Sequence, residues 1–560
     1  MSIIALAALV YALCWLLPNH HWPWPDFYSD AWAGLSMWVI AAVVLWKSRQ
    51  FTTLEWHTLA LLVLACCGII WGQYAAGLLK ELGQAWTSTL YLLGLLMALL
   101  TGSAWERWNP GQCADFLFLA VLAGASGSLI VQFQQWLLIN PGDMFWLFLP
   151  PPPRRFHANL GQPNQLATLL CLGVLACGWL RERGRLSGWA AWVWAALLAV
   201  GLALTESRTS WVVIAGSLTA LVLWRKQLKI EGRMIAAALS WTTFFLLCTV
   251  ALPHVNLWLG RTAELQELRD ISTSELRLIY WAKLWQALVA QPWLGYGWMQ
   301  TSFAQLTSDP YAMLTGGTFR HAHNLFLDLW VWLGIPLGLT VSLILVIWAF
   351  RAVLRIRQRE QLWMLLFVFA LMVHAMLEYP LYYAYFLLPL GLMLGALNVT
   401  QGFKPVARMH FGLAASALAL AGAGWIVTAY DYVRIEENFF TLRFEHERLA
   451  KPGEYAEPQV IALTQLQDML WLARVDPLTT HGAPDLERAV RIAKLLPSVV
   501  GMYKLTAMYA FAGQPQQAEY WVIVMTRMNG LKQKTVQEIR RQWEEQAAKY
   551  PPMADVKWPV

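Results

Sequence analysis

Charged residues are scarce in this chain. Only 13% of its 560 residues are Asp, Glu, Lys or Arg, and 58% are hydrophobic, where an ordinary soluble domain carries about a quarter charged residues. That shortage excludes water as the main solvent. Cysteine supplies no framework: Cys14, Cys66, Cys67, Cys113, Cys171, Cys177 and Cys248 lie in apolar runs or at their edges. They have neither metal-ligand spacing nor a paired pattern in a polar loop, so they read as packing residues. The first apolar run lacks a basic flank and a small-residue cleavage site, and another hydrophobic segment follows closely; it is expected to be a retained helix. No internal repeat of hydropathy and no charge pairs at mid-span are present, which argues against a transporter or flippase. The net charge of +7 sits in short clusters between hydrophobic runs, as orienting loops do, and no nucleic acid is expected as a partner.

What is abundant is apolar length. Runs such as Ile4 to Leu17, Leu59 to Trp71, Phe116 to Leu137 and Leu325 to Phe350 are of spanning length or near it. The sequence predicts an all-α, polytopic transmembrane helix bundle of about thirteen spans. These are 2–17, 31–47, 57–79, 86–103, 116–139, 165–181, 188–205, 209–225, 234–252, 323–350, 361–378, 383–399 and 409–429. With a cytoplasmic N-terminus, the inside loops hold Lys47 and Arg49; Arg107; Arg181, Arg183 and Arg185; Arg225, Lys226, Lys229 and Arg233; Arg351, Arg355, Arg357 and Arg359; Lys404 and Arg408. Short loops rich in Lys and Arg stay inside, which fixes the orientation. The expected division is an N-terminal bundle, 1–252; a large outside loop, 253–322; a C-terminal bundle, 323–429; and a soluble helical tail, 430–560. In the tail, Lys504, Leu505, Ala507, Tyr509, Gly513, Ala518 and Tyr520 have the spacing of a helical-hairpin repeat resembling a tetratricopeptide unit. The 34 tryptophans are expected to anchor and pack rather than bind ligand.

Polar and charged groups near membrane depth are costly unless paired or hydrated, so those at span ends are candidate functional residues. Five places on the outside qualify. Arg154, Arg155, Phe156, His157 and Ala158 to Gln165, including Gln162 and Asn164, follow the Pro150 to Pro153 run; prolines then amides present polar groups before the next span, and an orienting re-entry turn is the plainer alternative. Glu206, Ser207, Arg208 and Thr209 form a very short connection, where Arg208 could hold anionic oxygens bidentately or could pair with Glu206. On a helix expected to end at Pro292, Arg277 lies with Glu275, Tyr280, Trp281 and Trp285; it is a second phosphate clamp or part of a solvated face.

The fourth place is Arg320, His321, Ala322, His323 and Asn324, then Asp328, opening a long apolar helix. Histidine moves a proton readily near neutral pH, and a helix N-terminus favours anions. Two imidazoles could chelate a metal, but no clear third ligand accompanies them; a structural cap is the other alternative. The fifth, His374, Glu378, Tyr379, Pro380, Tyr382, Tyr383 and Tyr385, forms a polar aromatic rim or an interfacial belt.

In this order these places resemble the O-antigen ligase and Wzy polymerase superfamily, in which an Arg after a short outer turn, an Arg in the large periplasmic loop and a His before Asn recur: here Arg208, Arg277 and His323. The Gly161-Gln162-Pro163-Asn164-Gln165 block, His374 to Pro380 and the helical tail resemble the PglL-type protein O-oligosaccharyltransferases within it. The resemblance implies a multi-pass protein of the bacterial inner membrane whose active site and tail face the periplasm. It implies en bloc transfer of a preassembled glycan from undecaprenyl diphosphate to Ser or Thr of a periplasmic protein such as a type IV pilin. Arg208 and Arg277 would neutralise the diphosphate, and His323 would deprotonate or orient the hydroxyl. Arg155, Gln162, Asn164, Arg320, His321, Asn324, His374, Glu378 and Tyr379 would bind substrate. No metal and no cofactor is expected if two guanidinium groups do the metal's work. An O-antigen ligase acting on lipid A core is the nearest alternative; a lipid-linked glycan polymerase or a transporter is further off.

Overall fold

The computed structural model describes residues 3–139, 155–260, 273–308, 319–447, 457–528 and 533–558. The chain is a polytopic helical membrane protein. Its first helices are α1 (Ile3–Ala12), α2 (Phe27–Ser48), α3 (Thr58–Ala75), α4 (Leu82–Trp108), α5 (Gln112–Leu137), α6 (Pro163–Glu182), α7 (Gly188–Thr205), α8 (Arg208–Leu223) and α9 (Gly232–Trp258). Then come α10 (Thr273–Ala290), α11 (Thr301–Ser308), α12 (Leu325–Leu354), α13 (Arg359–Leu377), α14 (Ala384–Thr400) and α15 (Phe411–His446). Six tail helices follow: α16 (Thr464–Arg474), α17 (Ala483–Leu495), α18 (Val499–Phe511), α19 (Pro515–Met528), α20 (Gln533–Ala547) and α21 (Pro551–Ala554). Every expected span coincides with an apolar helix. Among the described residues ten are long enough to cross a bilayer by length and composition, and Ile3–Trp15, α8 and α14 are shorter.

The chain divides into two compact units. The first comprises Met1–Cys66, Leu90–Asp270 and Ile344–Trp425. Its core is one apolar cluster in which α5 packs on α6 and α6 on α7. Small residues set the closest approach: a Cβ on Gly102 of α4 would fall 2.1 Å from the Leu392 carbonyl oxygen, and one on Gly395 of α14 would fall 2.1 Å from that of Leu99. Backbones that near gain dispersion contact and let Ser103 donate to the Gly395 carbonyl at 3.0 Å. α6 is 20 residues long, so about 30 Å separates its ends.

At one end of this unit, basic clusters expected to share a face are tied together. Strands β1 (Thr53–Trp56) and β2 (Ala407–His410) pair antiparallel, with Glu55 opposite Arg408. Arg183 and Arg185 both reach Asp115, which is 2% exposed and also accepts the Trp179 indole N–H at 2.9 Å. Arg359 spans to Glu182 and to the Leu228 carbonyl, and Arg355 to the Gly402 carbonyl. Removing Asp115 leaves three donors without their buried acceptor. Asp115→Ala is therefore expected to cost about 1–3 kcal/mol, discounted because both arginines are partly exposed. The detergent-solubilised protein should melt several degrees lower, and Asp115→Asn, which keeps an acceptor for Trp179, should lose less.

The second unit comprises Cys67–Thr89, Ile271–Leu343 and Ile426–Val560. α12 was expected as an unbroken span, but its backbone leaves helical geometry at Gly334, two residues before Pro336. The freed carbonyls are taken up: Tyr296 donates its amide to Val331 at 2.8 Å, Gly297 to Trp332 at 3.1 Å, and Gln73 adds a side-chain donor to Trp332 at 2.9 Å. A Cβ on Gly334 would meet the Trp293 carbonyl oxygen at 2.4 Å, so this crossing requires glycine. The tail docks on the α3–α4 connection through Arg491 and buried Glu81 (3.0 Å) and on α11 through Tyr520, whose hydroxyl donates to the Leu306 carbonyl. The Asp431 carboxylate accepts the amides of Ile461, Ala462 and Leu463, fixing where α16 starts.

Several boundaries differ from expectation. α9 continues through Pro253 to Trp258 instead of stopping at residue 252, because one lost hydrogen bond does not end an apolar helix whose last turn is anchored by Trp136 donating to Asn256 at 2.8 Å. α15 runs to His446, since Arg434, Glu436 and Glu437 are good helix formers and no breaker intervenes. Helix 6 starts at Pro163, which suits N1, so Asn164 and Gln165 lie in its first turn. The β1–β2 pair was not anticipated at all.

Candidate functional site

Of the predicted residues, Arg155, Gln162, Asn164, Arg208, Glu378 and Tyr379 lie together at an end of the first unit. The chain enters through Ala158 and Gly161, both in the left-handed region, and Gln162 caps α6 by accepting the Gln165 amide at 2.9 Å. The cap uses the side-chain carbonyl of Gln162 and places Asn164, two residues on, against three partners. Its Oδ1 accepts from the Ser207 hydroxyl at 2.8 Å and from Arg155 at 3.3 Å; its Nδ2 donates to Glu378 at 3.1 Å. Arg155 also donates Nε–H to the Thr205 carbonyl at 2.9 Å. Thus segments before α6, between α7 and α8, and after α13 converge on one amide.

Electrostatics of this cluster are mixed. Burial draws the Arg155 guanidinium below its ordinary range, opposed by the carboxylates of Glu206 and Glu378 and aided by Arg208. Glu206 closes α7 in the left-handed region, and the turn is so short that Arg208 becomes the first residue of α8. Arg208 is exposed, and among the described residues it forms no ion pair. A guanidinium at a helix N-terminus, where backbone N–H groups also point outward, is a place for anionic oxygen.

Glu378 ends α13 and is 6% exposed. Tyr379 follows, its ring 6.0 Å from Tyr382 and 5.9 Å from Tyr383, while Tyr383 stacks on Tyr385 at 5.2 Å. This aromatic turn is held from below by Asp30, which accepts the Ala384 amide at 2.6 Å and the Tyr91 hydroxyl. His374 lies a turn deeper, 1% exposed, and its Nδ1 meets the Thr168 hydroxyl at 2.8 Å.

The second unit carries His321 and His323. Asn324 caps α12, its Oδ1 accepting the amides of Phe326 and Leu327, both at 3.1 Å. His323, just before it, is a non-glycine residue at φ 52°, a conformation costing about 1–3 kcal/mol that the surroundings must impose. They do so through its neighbours: Tyr280 donates to the His321 carbonyl at 3.1 Å, Trp281 to the Ala322 carbonyl at 2.8 Å, and Asp328 accepts the Ala322 amide at 2.8 Å while also holding Thr301. The two imidazoles meet edge to face, 4.6 Å apart, and Phe319 lies 5.6 Å from His323. Arg320 is exposed beside them. Arg277 lies on α10, one turn before Tyr280; its side chain lies outside the described residues, as do Arg154 and the Pro150 to Pro153 run.

Burial, then charge on His323 and Arg320, pushes the His321 imidazole well below its ordinary value. An unfolded histidine takes up its proton near pH 6.5, about the ordinary value, and the folded turn does so only at lower pH. The contribution to stability is therefore whole above that pH and is lost as pH falls below it. Amide exchange in residues 319–324, corrected for intrinsic rate, should be level from about pH 8 to 7 and quicken through about pH 6 to 5.

Asp328 and Ser207 stand within the candidate places read from sequence but had no role of their own there, although each organises a candidate. Asp328 carries a readable signal, a carboxylate in the first turn of an apolar helix four residues after Asn324. Ser207 carries none until its partner, 43 positions away, is seen.

Comparison with known proteins covers the same segments. Residues 158–180 match a family described as protein glycosylation ligase, 193–342 one described as O-antigen ligase, and 362–539 one described as virulence factor membrane-bound polymerase, C-terminal. The chain is similar to a general O-oligosaccharyltransferase of Acinetobacter baylyi, 26% identical over 559 residues that cover 96% of this chain and 94% of the relative. It is also similar to a ComP-specific O-oligosaccharyltransferase of that organism, 31% identical over 364 residues covering 64% of each. With the Gln162–Asn164 block, the Arg208 turn and the His323–Asn324 turn falling inside the matched segments of a multi-pass helical protein, the chain belongs to the PglL-type protein O-oligosaccharyltransferases of the O-antigen ligase superfamily, a family of glycosyltransferases.

Proposed function

We propose that this protein transfers a preassembled glycan en bloc from undecaprenyl diphosphate to a Ser or Thr hydroxyl of a periplasmic protein such as a type IV pilin. It would act in the bacterial inner membrane, with both candidate constellations and the tail on the periplasmic side. The observation that carries the reading is the Arg155–Asn164–Glu378 convergence beside a helix-terminal Arg208 that forms no ion pair among the described residues. It provides cationic and amide donors in a fixed arrangement where a diphosphate headgroup would stand. The assignment of Arg208, Arg277 and His323 to one donor rests on the family resemblance.

The chemistry follows from the donor. A sugar diphosphate has a good leaving group, so the enzyme needs to neutralise charge that grows on the departing oxygen and to align an alcohol with the anomeric carbon. The acceptor oxygen forms the new C–O bond, the anomeric C–O bond to phosphate breaks, and undecaprenyl diphosphate leaves. The hydroxyl proton passes to the imidazole of His323 and then to solvent. Arg208 and Arg277 stabilise the diphosphate; Glu378, through Asn164, fixes the amide that faces it. Two guanidinium groups replace a divalent ion, so transfer should survive EDTA.

The test is reconstitution of the purified chain with an undecaprenyl-diphosphate-linked glycan and either a Ser-containing pilin-like acceptor or lipid A core. Glycopeptide formation supports the protein acceptor. Modification of lipid A core alone would make the enzyme a ligase.

A further inference from the structure

The opposite end of the first unit contains a cavity of about 800 Å³, bounded by α6, α7, α8, α9 and α13. That volume suits a sizeable ligand, and nothing in the transfer reaction uses it. Its walls are hydrocarbon and indole: Trp192, Trp241 and Trp363 with small and branched aliphatic side chains between them. The indole N–H groups of Trp241 and Trp363 are spent inside the protein, on the Ala195 carbonyl at 2.7 Å and on Glu182 at 2.6 Å, so both rings present apolar faces. The rim is charged and asymmetric. Arg359 is committed to Glu182 and to the Leu228 carbonyl, and Arg233 pairs with Glu231 at 2.8 Å. Arg181 forms no ion pair among the described residues; its guanidinium lies over Gly188, where a Cβ would come within 2.0 Å of Nη1. Three guanidinium groups face two carboxylates, which leaves one cationic group over. Arg181, Glu231, Arg233 and Arg359 all line the same cavity, and Glu231 is held below the ordinary carboxylate range first by Arg233, with Arg359 and Arg181 adding to it. One further polar group lies deeper: the Ser217 hydroxyl is buried against the cavity with no hydrogen-bond partner among the described residues.

An apolar cavity beside a basic rim between membrane helices selects an amphiphile with a negative head, because guanidinium forks bind phosphate oxygens and the walls accept hydrocarbon. We propose that this cavity holds one phospholipid of net negative charge, with its phosphate at Arg181 and Arg233, an ester carbonyl within reach of Ser217, and an acyl chain against Trp192 and Trp241. A zwitterionic lipid brings its own ammonium group and gains less from the surplus guanidinium. A polyprenyl diphosphate is the competing amphiphile, but its proposed headgroup site is at the other end of α6.

The full chain should be reconstituted in nanodiscs of equal parts phosphatidylglycerol and phosphatidylcholine with matched acyl chains, released, and weighed intact by native mass spectrometry. Wild-type protein is expected to retain one phosphatidylglycerol in preference to phosphatidylcholine. Arg181→Gln with Arg233→Gln should cut that preference roughly tenfold or more, the scale of two basic groups at an anionic membrane surface. Ala238→Trp, which fills the cavity and leaves the arginines, should also abolish retention, while Lys226→Gln, at the same end but outside the cavity, should not. Added phosphatidylglycerol should raise the melting temperature of wild type and not of the double variant. Equal retention of both lipids, unchanged retention in the double or the Ala238→Trp variant, or displacement of phosphatidylglycerol by undecaprenyl phosphate would overturn the proposal.

Discussion

His323→Ala should lower glycan transfer by about 10²–10⁴-fold, the usual scale for a positioned general base. The effect should appear in turnover, with the lipid-linked donor accumulating in cells and its binding little changed, because the residue acts on the acceptor proton. The local geometry makes this a demanding site for substitution. His323 is in the left-handed region between an amide held by Asp328 and the Asn324 cap, so a change of side chain leaves a backbone that Tyr280, Trp281 and Asp328 already hold in place. Asn at 323 tolerates that conformation better than Ala does and offers a hydrogen bond without a base. If His323→Asn restores more than a small fraction of the rate, orientation rather than proton removal is the role. Full activity in His323→Ala with abundant donor sinks both versions.

Arg208→Ala should cost about 10²–10³-fold in turnover, as loss of one preorganised charge stabiliser does. Arg208→Lys should recover little, because an ammonium group lacks the planar fork that meets two phosphate oxygens together. Stability is not the reason for the loss: Arg208 is exposed and unpaired among the described residues, so neither variant should melt more than slightly below wild type. Ser207→Ala removes a donor to Asn164, leaves Arg208 in place, and should give a smaller loss of about tenfold, the scale of one hydrogen bond. Equal activity in wild type and Arg208→Ala at saturating donor would remove Arg208 from the mechanism.

Much of this arrangement was readable before any coordinate. Thirteen apolar segments, basic clusters between alternate pairs of them, and polar residues at the remaining ends follow from the cost of charge in hydrocarbon. The clusters given one face are indeed joined by Glu55, Asp115, Glu182 and Arg359. What failed to show has identifiable causes. Hydropathy averages over a helix break, so Gly334 passed as part of a span even though its freed carbonyls are met by Tyr296 and Gly297. The β1–β2 pairing joins segments more than 350 residues apart, a distance over which no local pattern speaks. Gln162 was read for its amide chemistry, but the cap consumes its carbonyl and hands the convergent position to Asn164. His374 was read from its place near a span end, and Thr168 on a neighbouring helix is what it meets.

The most direct measurement of the central claim is the intact mass of pilin-like acceptor from cells that make the lipid-linked glycan, with this chain present, deleted, or restored as wild type or His323→Ala. Transfer to protein predicts that deletion removes one glycan mass from the acceptor, that wild type restores it, and that His323→Ala does not. An acceptor of unchanged mass in every strain, beside loss of polymer from lipopolysaccharide on deletion, would contradict it.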